Sequence, residues 1–156
     1  KIGYTSAIKR AYGIRFALSL HHLTITNNNK DMENLTDIIK GSQLTLVDFY
    51  ATWCGPCQKE LPFLKKLEEK FKGRNIVFVG LSIDQDKAKW AARVKSGALS
   101  GTQLHIGKGS KFQSDYRISG IPRFILLDPN GRIVNPDMTR PSSEDTEKIL
   151  NSQPGL

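Results

Sequence analysis

Cysteine is scarce in this chain: its 156 residues include Cys54 and Cys57 and no other thiol. Two cysteines this close cannot staple a loop-rich secreted domain. A structural zinc site would need more ligands than the pair supplies. The histidines, His21, His22 and His105, lie far from the cysteines and off finger spacing, so no metal is expected. Long apolar runs are missing too, none approaching the roughly 18 residues that span a bilayer. There is no internal repeat and no arginine-rich stripe interleaved with aromatics, the footprint of nucleic-acid binding. The 23 Lys and Arg against 15 Asp and Glu give a net charge of +8. That excess attracts anionic surfaces in general, but the basic residues are scattered among acids, and no nucleic-acid partner is expected. What is left is a chain of one-domain size, 38% hydrophobic, with a dithiol whose leading use is redox chemistry.

The chain does not begin with methionine, so a processed or truncated product is expected, and a signal peptide before Lys1 is compatible with it. Residues 26–31 read as a polar loop. They divide an N-terminal extension of unassigned role, residues 1–31, from a domain over residues 32–156. Residues 44–51 form a near-continuous apolar run and read as a buried strand. A helix should start around Cys54 to Pro56 and run to about Phe71, with Leu61, Leu64, Leu67 and Phe71 on one face and Gly73 ending it. On its other side, Lys65, Lys66, Glu68, Glu69 and Lys70 read as a solvated face. Residues 76–83 read as a second strand and 87–95 as a helix with Trp90 in the core. A short strand is expected near 103–106, and a short helix over 112–116. Segments 123–128 and 132–135 flank Asp128-Pro129-Asn130-Gly131, a hairpin turn. Ser142 or Ser143 can cap a last helix, with Glu144 and Asp145 in its first turn. This order predicts a central sheet covered by helices.

Thr52-Trp53-Cys54-Gly55-Pro56-Cys57 sits where a buried strand gives way to a helix. Unpaired N–H groups at a helix start favour an anion, so a thiol there ionises more readily. Lowering its pKa from about 8.5 to about 7 is a preference of roughly 2 kcal/mol for the thiolate. Pro56 suits a first turn, where its missing N–H would be unpaired anyway. Cys54 would attack a substrate disulfide, and Cys57, one turn deeper, would resolve the mixed disulfide.

The string from Val47 to Cys57, Val-Asp-Phe-Tyr-Ala-Thr-Trp-Cys-Gly-Pro-Cys, resembles the active-site segment of the thioredoxin superfamily. Pro62 stands where that family's first long helix is kinked, Gly120-Ile121-Pro122 resembles its cis-proline loop, and the segment from Asp128 to Val134 resembles its terminal hairpin. The TlpA/ResA-like branch fits best through Ala51-Thr52-Trp53-Cys54, Glu60-Leu61-Pro62, Gly80-Leu81-Ser82-Ile83-Asp84 and an extra segment of roughly 25 residues before the proline loop. The resemblance covers about residues 35–150. It implies an α/β thioredoxin fold, a central mixed sheet flanked by helices, with the TlpA-like insertion before the cis-proline loop. It further implies a reductase of protein disulfides with no cofactor beyond its own Cys54–Cys57 dithiol. The partners implied are protein disulfide or dithiol substrates and an upstream electron donor. A monomer in the bacterial periplasm or cell envelope is expected, any membrane tether lying outside this chain, with the cytoplasm as the alternative. Trp53, Gly55, Pro56, Ile121 and Pro122 would face the substrate.

Asp48 lies inside an apolar strand, where desolvation should raise its pKa. It matches the buried aspartate of thioredoxins, a proton acceptor for the second cysteine. Glu60, three residues after Cys57, is the rival, at a position where the TlpA/ResA-like branch keeps an active-site glutamate. Two positions depart from the family pattern. Gly80 stands where many thioredoxins carry a lysine near the aspartate, and Arg123 follows the proline where threonine is usual. Arg123 either adds positive potential near the thiolate or points to solvent, and the latter is expected. Two other readings remain. A peroxiredoxin-like peroxidase needs a threonine three residues before its cysteine in a proline-led loop, whereas Thr52 is two before Cys54 and no proline precedes it. A non-catalytic thioredoxin-fold binding module would use the groove for partner contact alone.

Overall fold

The structure, a computed structural model, describes residues 24–27, 32–34, 43–109, 113–114 and 116–156, the first two spans through their backbone. The elements are β1 (Thr24–Asn27), β2 (Met32–Asn34), β3 (Leu44–Tyr50), α1 (Gly55–Lys70), β4 (Ile76–Ser82), α2 (Lys87–Lys95), β5 (Thr102–His105), β6 (Arg123–Leu127), β7 (Ile133–Asn135) and α3 (Glu144–Asn151). Among the described residues the strands form one sheet in the order β2-β1-β5-β4-β3-β6-β7.

β3 is the strand on which the site depends. All of its residues are buried, as its unbroken apolar run requires, because it is covered on both faces and paired on both edges. β4 runs parallel to it and β6 antiparallel, so Asp48 sits between Gly80 and Phe124. Side chains alternate across the sheet. Leu44 and Leu46 pack with Leu64, Leu67 and Phe71 beneath α1 and with Leu150 of α3. Val47 and Phe49 join Val79, Leu81, Leu104 and Tyr116 on the opposite face. Asp48 therefore shares the α1 face with Leu44 and Leu46.

α1 passes through Pro62 without ending, although that proline offers no N–H to the Gln58 carbonyl. It stops at Phe71, and Gly73 follows with φ +79°, a left-handed turn that favours glycine. Ser143 caps α3 by accepting from the Asp145 N–H, and Glu144, Asp145 and Glu147 stand in its first turn, where acids complement the helix dipole.

The N-terminal part differs from the sequence-based expectation. Thr26 and Asn27 belong to β1 rather than to a loop, and β1 pairs antiparallel with both β2 and β5. The expected division between residues 31 and 32 falls between two paired strands of the same sheet. Residues 1–23 and 35–42, with His21 and His22, lie outside the described residues, as do Phe112 and Asp115 of the helix expected at 112–116.

Trp90 of α2 is fully buried, and its indole N–H donates to the Tyr50 hydroxyl at 2.9 Å. Trp90→Ala should destabilise the fold by about 3–5 kcal/mol, as for other large aromatics removed from a core. A urea midpoint unchanged from the parent would contradict this packing role.

Candidate active site

Chain geometry at the end of β3 places the cysteines. Ala51 closes the strand, the Cys54 N–H donates back to the Ala51 carbonyl at 3.2 Å, and Cys54 becomes the N-cap of α1 with φ −81° and ψ 111°. Cys54 and Cys57 form a disulfide, with Cα atoms 5.2 Å apart. The Cys57 N–H points at Cys54 Sγ from 3.2 Å, so a thiolate on Cys54 would meet an unpaired donor at the positive end of a helix. Both cysteines are buried, while Trp53 beside them is 69% exposed and Gly55 and Pro56 face solvent. The Ile121–Pro122 peptide is cis, and the Ile121 carbonyl oxygen lies 3.9 Å from Cys54 Sγ. The five residues expected to face substrate thus gather around one sulfur or flank it in sequence.

Asp84 holds this loop in place. Its carboxylate accepts from the Thr52 N–H at 3.1 and 3.0 Å, from the Thr52 hydroxyl at 2.6 Å and from the Ser82 hydroxyl at 2.6 Å. A buried carboxylate satisfied by several donors is a rigid tie. It joins the end of β4 to the residue two before Cys54. Sequence reasoning used Asp84 only as a family marker, though an acid directly after a buried strand and beside the active-site loop was a readable signal. A second network was missed: the Tyr50 hydroxyl accepts from Trp90 and donates to Gln103 Oε1 at 2.7 Å. Gln103 lies so close over Gly80 that a Cβ on residue 80 would collide with its amide. An uncharged amide therefore occupies the space above Gly80, beside Asp48.

The carboxylates are placed differently from each other. Asp48 is buried, and its Oδ1 has no hydrogen-bond partner among the described residues. Its pKa is pushed from 3.8 to about 8, first by burial and then by the negative charges of Glu60 and Glu68. Glu60 is also buried, but Ser142 satisfies both its oxygens, the N–H donating at 2.9 Å and the hydroxyl at 2.8 Å. It ties α1 to the approach of α3. Glu68 does not lie on the solvated face expected for it. It is half-buried because it follows Leu64 by one helical turn and so turns toward the sheet. Arg123 does not point to solvent either. It donates to the Pro136 carbonyl at 2.9 Å and lies 3.4 Å from Asp137, its side chain 14% exposed. No cluster suited to a metal occurs among the described residues.

The Asp48 shift has a defined consequence for stability. The folded chain keeps a proton on Asp48 up to about pH 8, whereas the unfolded chain releases it near pH 4. Stability should therefore fall as pH rises from about 4 to about 8, by up to about 1.4 kcal/mol per pH unit, and level off above that. Urea midpoints across this range would show the slope, and Asp48→Asn should flatten it. A variant whose profile parallels that of the parent would contradict a protonated Asp48.

Known proteins resemble the chain over the same region. The ResA thiol-disulfide oxidoreductase of Bacillus cereus (strain ZK / E33L) is 30% identical over 112 residues, 72% of this chain and 64% of that protein. The chain thus spans a little under two thirds of that curated relative. The solution structure of a proposed thiol-disulfide oxidoreductase from Bacteroides vulgatus is 44% identical, with a TM-score of 0.74 over 83% of this chain and 84% of that one. A thiol-disulfide oxidoreductase from Bacteroides fragilis NCTC 9343 is 27% identical, with a TM-score of 0.70 over 82% of this chain and 96% of that one. The family described as thioredoxin-like matches residues 41–133. That match runs from just before β3 to the first residue of β7 and contains the dithiol and the cis-proline, and on it the chain belongs to the thioredoxin-like family.

Proposed function

We propose that this protein is a thiol-disulfide oxidoreductase that reduces disulfides in other proteins. The observation that carries this reading is the Cys54–Cys57 disulfide at the start of α1, with an exposed Trp53 and the cis Ile121–Pro122 bond beside it. In the reduced form the Cys54 thiolate attacks a substrate disulfide, forming a mixed disulfide and releasing one substrate thiolate. Cys57 then gives its proton to the ionised form of Asp48, a minority of molecules below about pH 8, and attacks Cys54 Sγ, which restores the Cys54–Cys57 disulfide and releases the second substrate sulfur. Two electrons pass to the substrate, and a separate electron donor must reduce the pair again.

Asp48 rather than Glu60 is the acceptor in this reading. Hydrogen bonds from Ser142 to each oxygen of Glu60 stabilise its charged form, while Asp48 Oδ1 has no such partner among the described residues and gains more by taking a proton. An acid near pKa 8 is also closely matched to a thiol of about 8.5, so the transfer costs little in either direction. The work is assigned to the cell envelope, outside the cytoplasm, and to a monomer, on the likeness to the TlpA/ResA-like branch. The likeness to that branch also implies an insertion of roughly 25 residues before the proline loop, in the part of the chain that holds α2 and β5. No described helix is long and apolar enough to cross a membrane.

Cys57→Ser should hold substrate proteins covalently on Cys54, released by dithiothreitol, while the double variant with Cys54→Ser should hold none. Trapping that persists without Cys54 would refute the division of labour. In stopped-flow measurements of mixed-disulfide resolution, Asp48→Asn should slow the step by on the order of tenfold to a hundredfold, the low end of general-base effects. Glu60→Gln should slow it less, and the reverse order would transfer the role to Glu60.

A further inference from the structure

The face of α1 that carries Cys57, Glu60 and Leu64 continues one turn later to Glu68. Glu68 Oε1 is shut off from solvent and has no hydrogen-bond partner among the described residues, and Asp48 Oδ1 is in the same condition. Asp48 as a whole is 9% exposed. The two carboxyl groups line one cavity of about 10 Å³, together with Gly80, Ser100 and Gln103 on the polar side and Leu46 and Leu64 on the apolar side. That is close to the least space one water needs, and a water there would have several polar neighbours. Two unmet acceptor oxygens over one water-sized space call for a donor between them.

We propose that Glu68 is the outlet for the Asp48 proton, one water in this cavity joining the two carboxyl groups. The proposal rests on Asp48 being the acceptor for Cys57. Oxidation of the pair leaves the Cys57 proton on Asp48 and reduction must return one to Cys57, so in this reading Asp48 exchanges its proton with solvent once in each direction per turn. The water takes it and gives one of its own to the Glu68 carboxylate, which releases it to bulk solvent. No electrons move, and the cavity ends as it began. Glu68 touches neither sulfur, so it is a positioning residue that acts through Asp48.

The charged surroundings are few. Glu60 of α1 and Tyr50 of β3 face Asp48, while Lys65 of α1 and a hydrogen bond from Ser100 act on Glu68. Burial raises the Glu68 pKa from its ordinary value, and Ser100 and Lys65 oppose the rise. The residues that β4, the loop before β5 and β5 itself bring to the cavity, Phe78, Val79, Gly80, Ser100 and Gln103, do not titrate.

The test compares the full chain with Glu68→Gln, Asp48→Asn and the double variant, reducing insulin with dithiothreitol as electron donor, in H2O and D2O. Glu68→Gln should leave the first turnover of pre-reduced protein near the parent rate. It should slow repeated turnover about tenfold, a modest share of a general acid–base effect, with a larger solvent isotope effect. In the Asp48→Asn background it should change nothing further. Repeated turnover at the parent rate in Glu68→Gln, or equal slowing in both backgrounds, overturns the outlet while leaving Asp48 as acceptor. Parent-like rates in Asp48→Asn alone overturn both. Carboxyl-carbon NMR on the unaltered protein gives an independent reading: Asp48 and Glu68 should each move through two shared titration steps, and two unrelated single-step curves would refute the link.

Discussion

Desolvation of one carboxyl group sets the terms for the rest of the site. β3 is paired on both edges and covered on both faces, so a polar side chain at its centre loses water without any choice of rotamer to recover it. At Asp48 that loss favours the neutral acid. An isolated carboxylate in such a place would be a plain defect, to be replaced by leucine at a gain in stability. It makes sense only if the proton it holds is exchanged with something nearby, and the nearest reactive group in the chain direction is the dithiol that follows the strand.

The strand-to-helix turn makes that exchange geometrically cheap. β3 ends and α1 begins within a few residues, so the buried acid and the sulfurs are fixed to the same rigid corner. Asp84 anchors the corner through Thr52, and Glu60 anchors the far side of α1 through Ser142. These two carboxylates have both oxygens hydrogen-bonded and act as ties. Asp48 and Glu68 keep unpaired oxygens. The division of four acids into two that hold and two that stay available is therefore a matter of hydrogen-bond supply, not of residue type.

Much of this was legible in the sequence, and the failures have physical reasons. β3, α1, β4, α2 and the β6–β7 hairpin were readable because burial on both faces, helical spacing and turn chemistry leave strong patterns. β1 and β2 were not, because Thr24-Ile25-Thr26-Asn27 and Met32-Glu33-Asn34 are short and largely polar, a composition that reads as loop. Glu68 was hidden by its neighbours. Within Lys65-Lys66-Leu67-Glu68-Glu69-Lys70 every charge looks solvated, and only the spacing from Cys57 and Leu64 shows that one of them turns inward. Arg123 was misread because its partners, Pro136 and Asp137, come from the chain after β7, a contact that no local pattern encodes.

The absence of a cation near the acid changes its chemistry. Where a lysine would stabilise the ionised form, this chain has Gly80 with the Gln103 amide laid over it, and an amide has no net charge to offer. The charges that act on Asp48 are those of Glu60 and Glu68, and both are negative. Burial and like charge then push in the same direction, and nothing opposes them. The result is a stronger base than a lysine-paired aspartate would be, one whose proton affinity is close to that of an ordinary thiol. A weak base would have left Cys57 protonated and slow to attack. With matched affinities the proton can leave Cys57 as the new sulfur–sulfur bond forms, and it can return when the pair is reduced again.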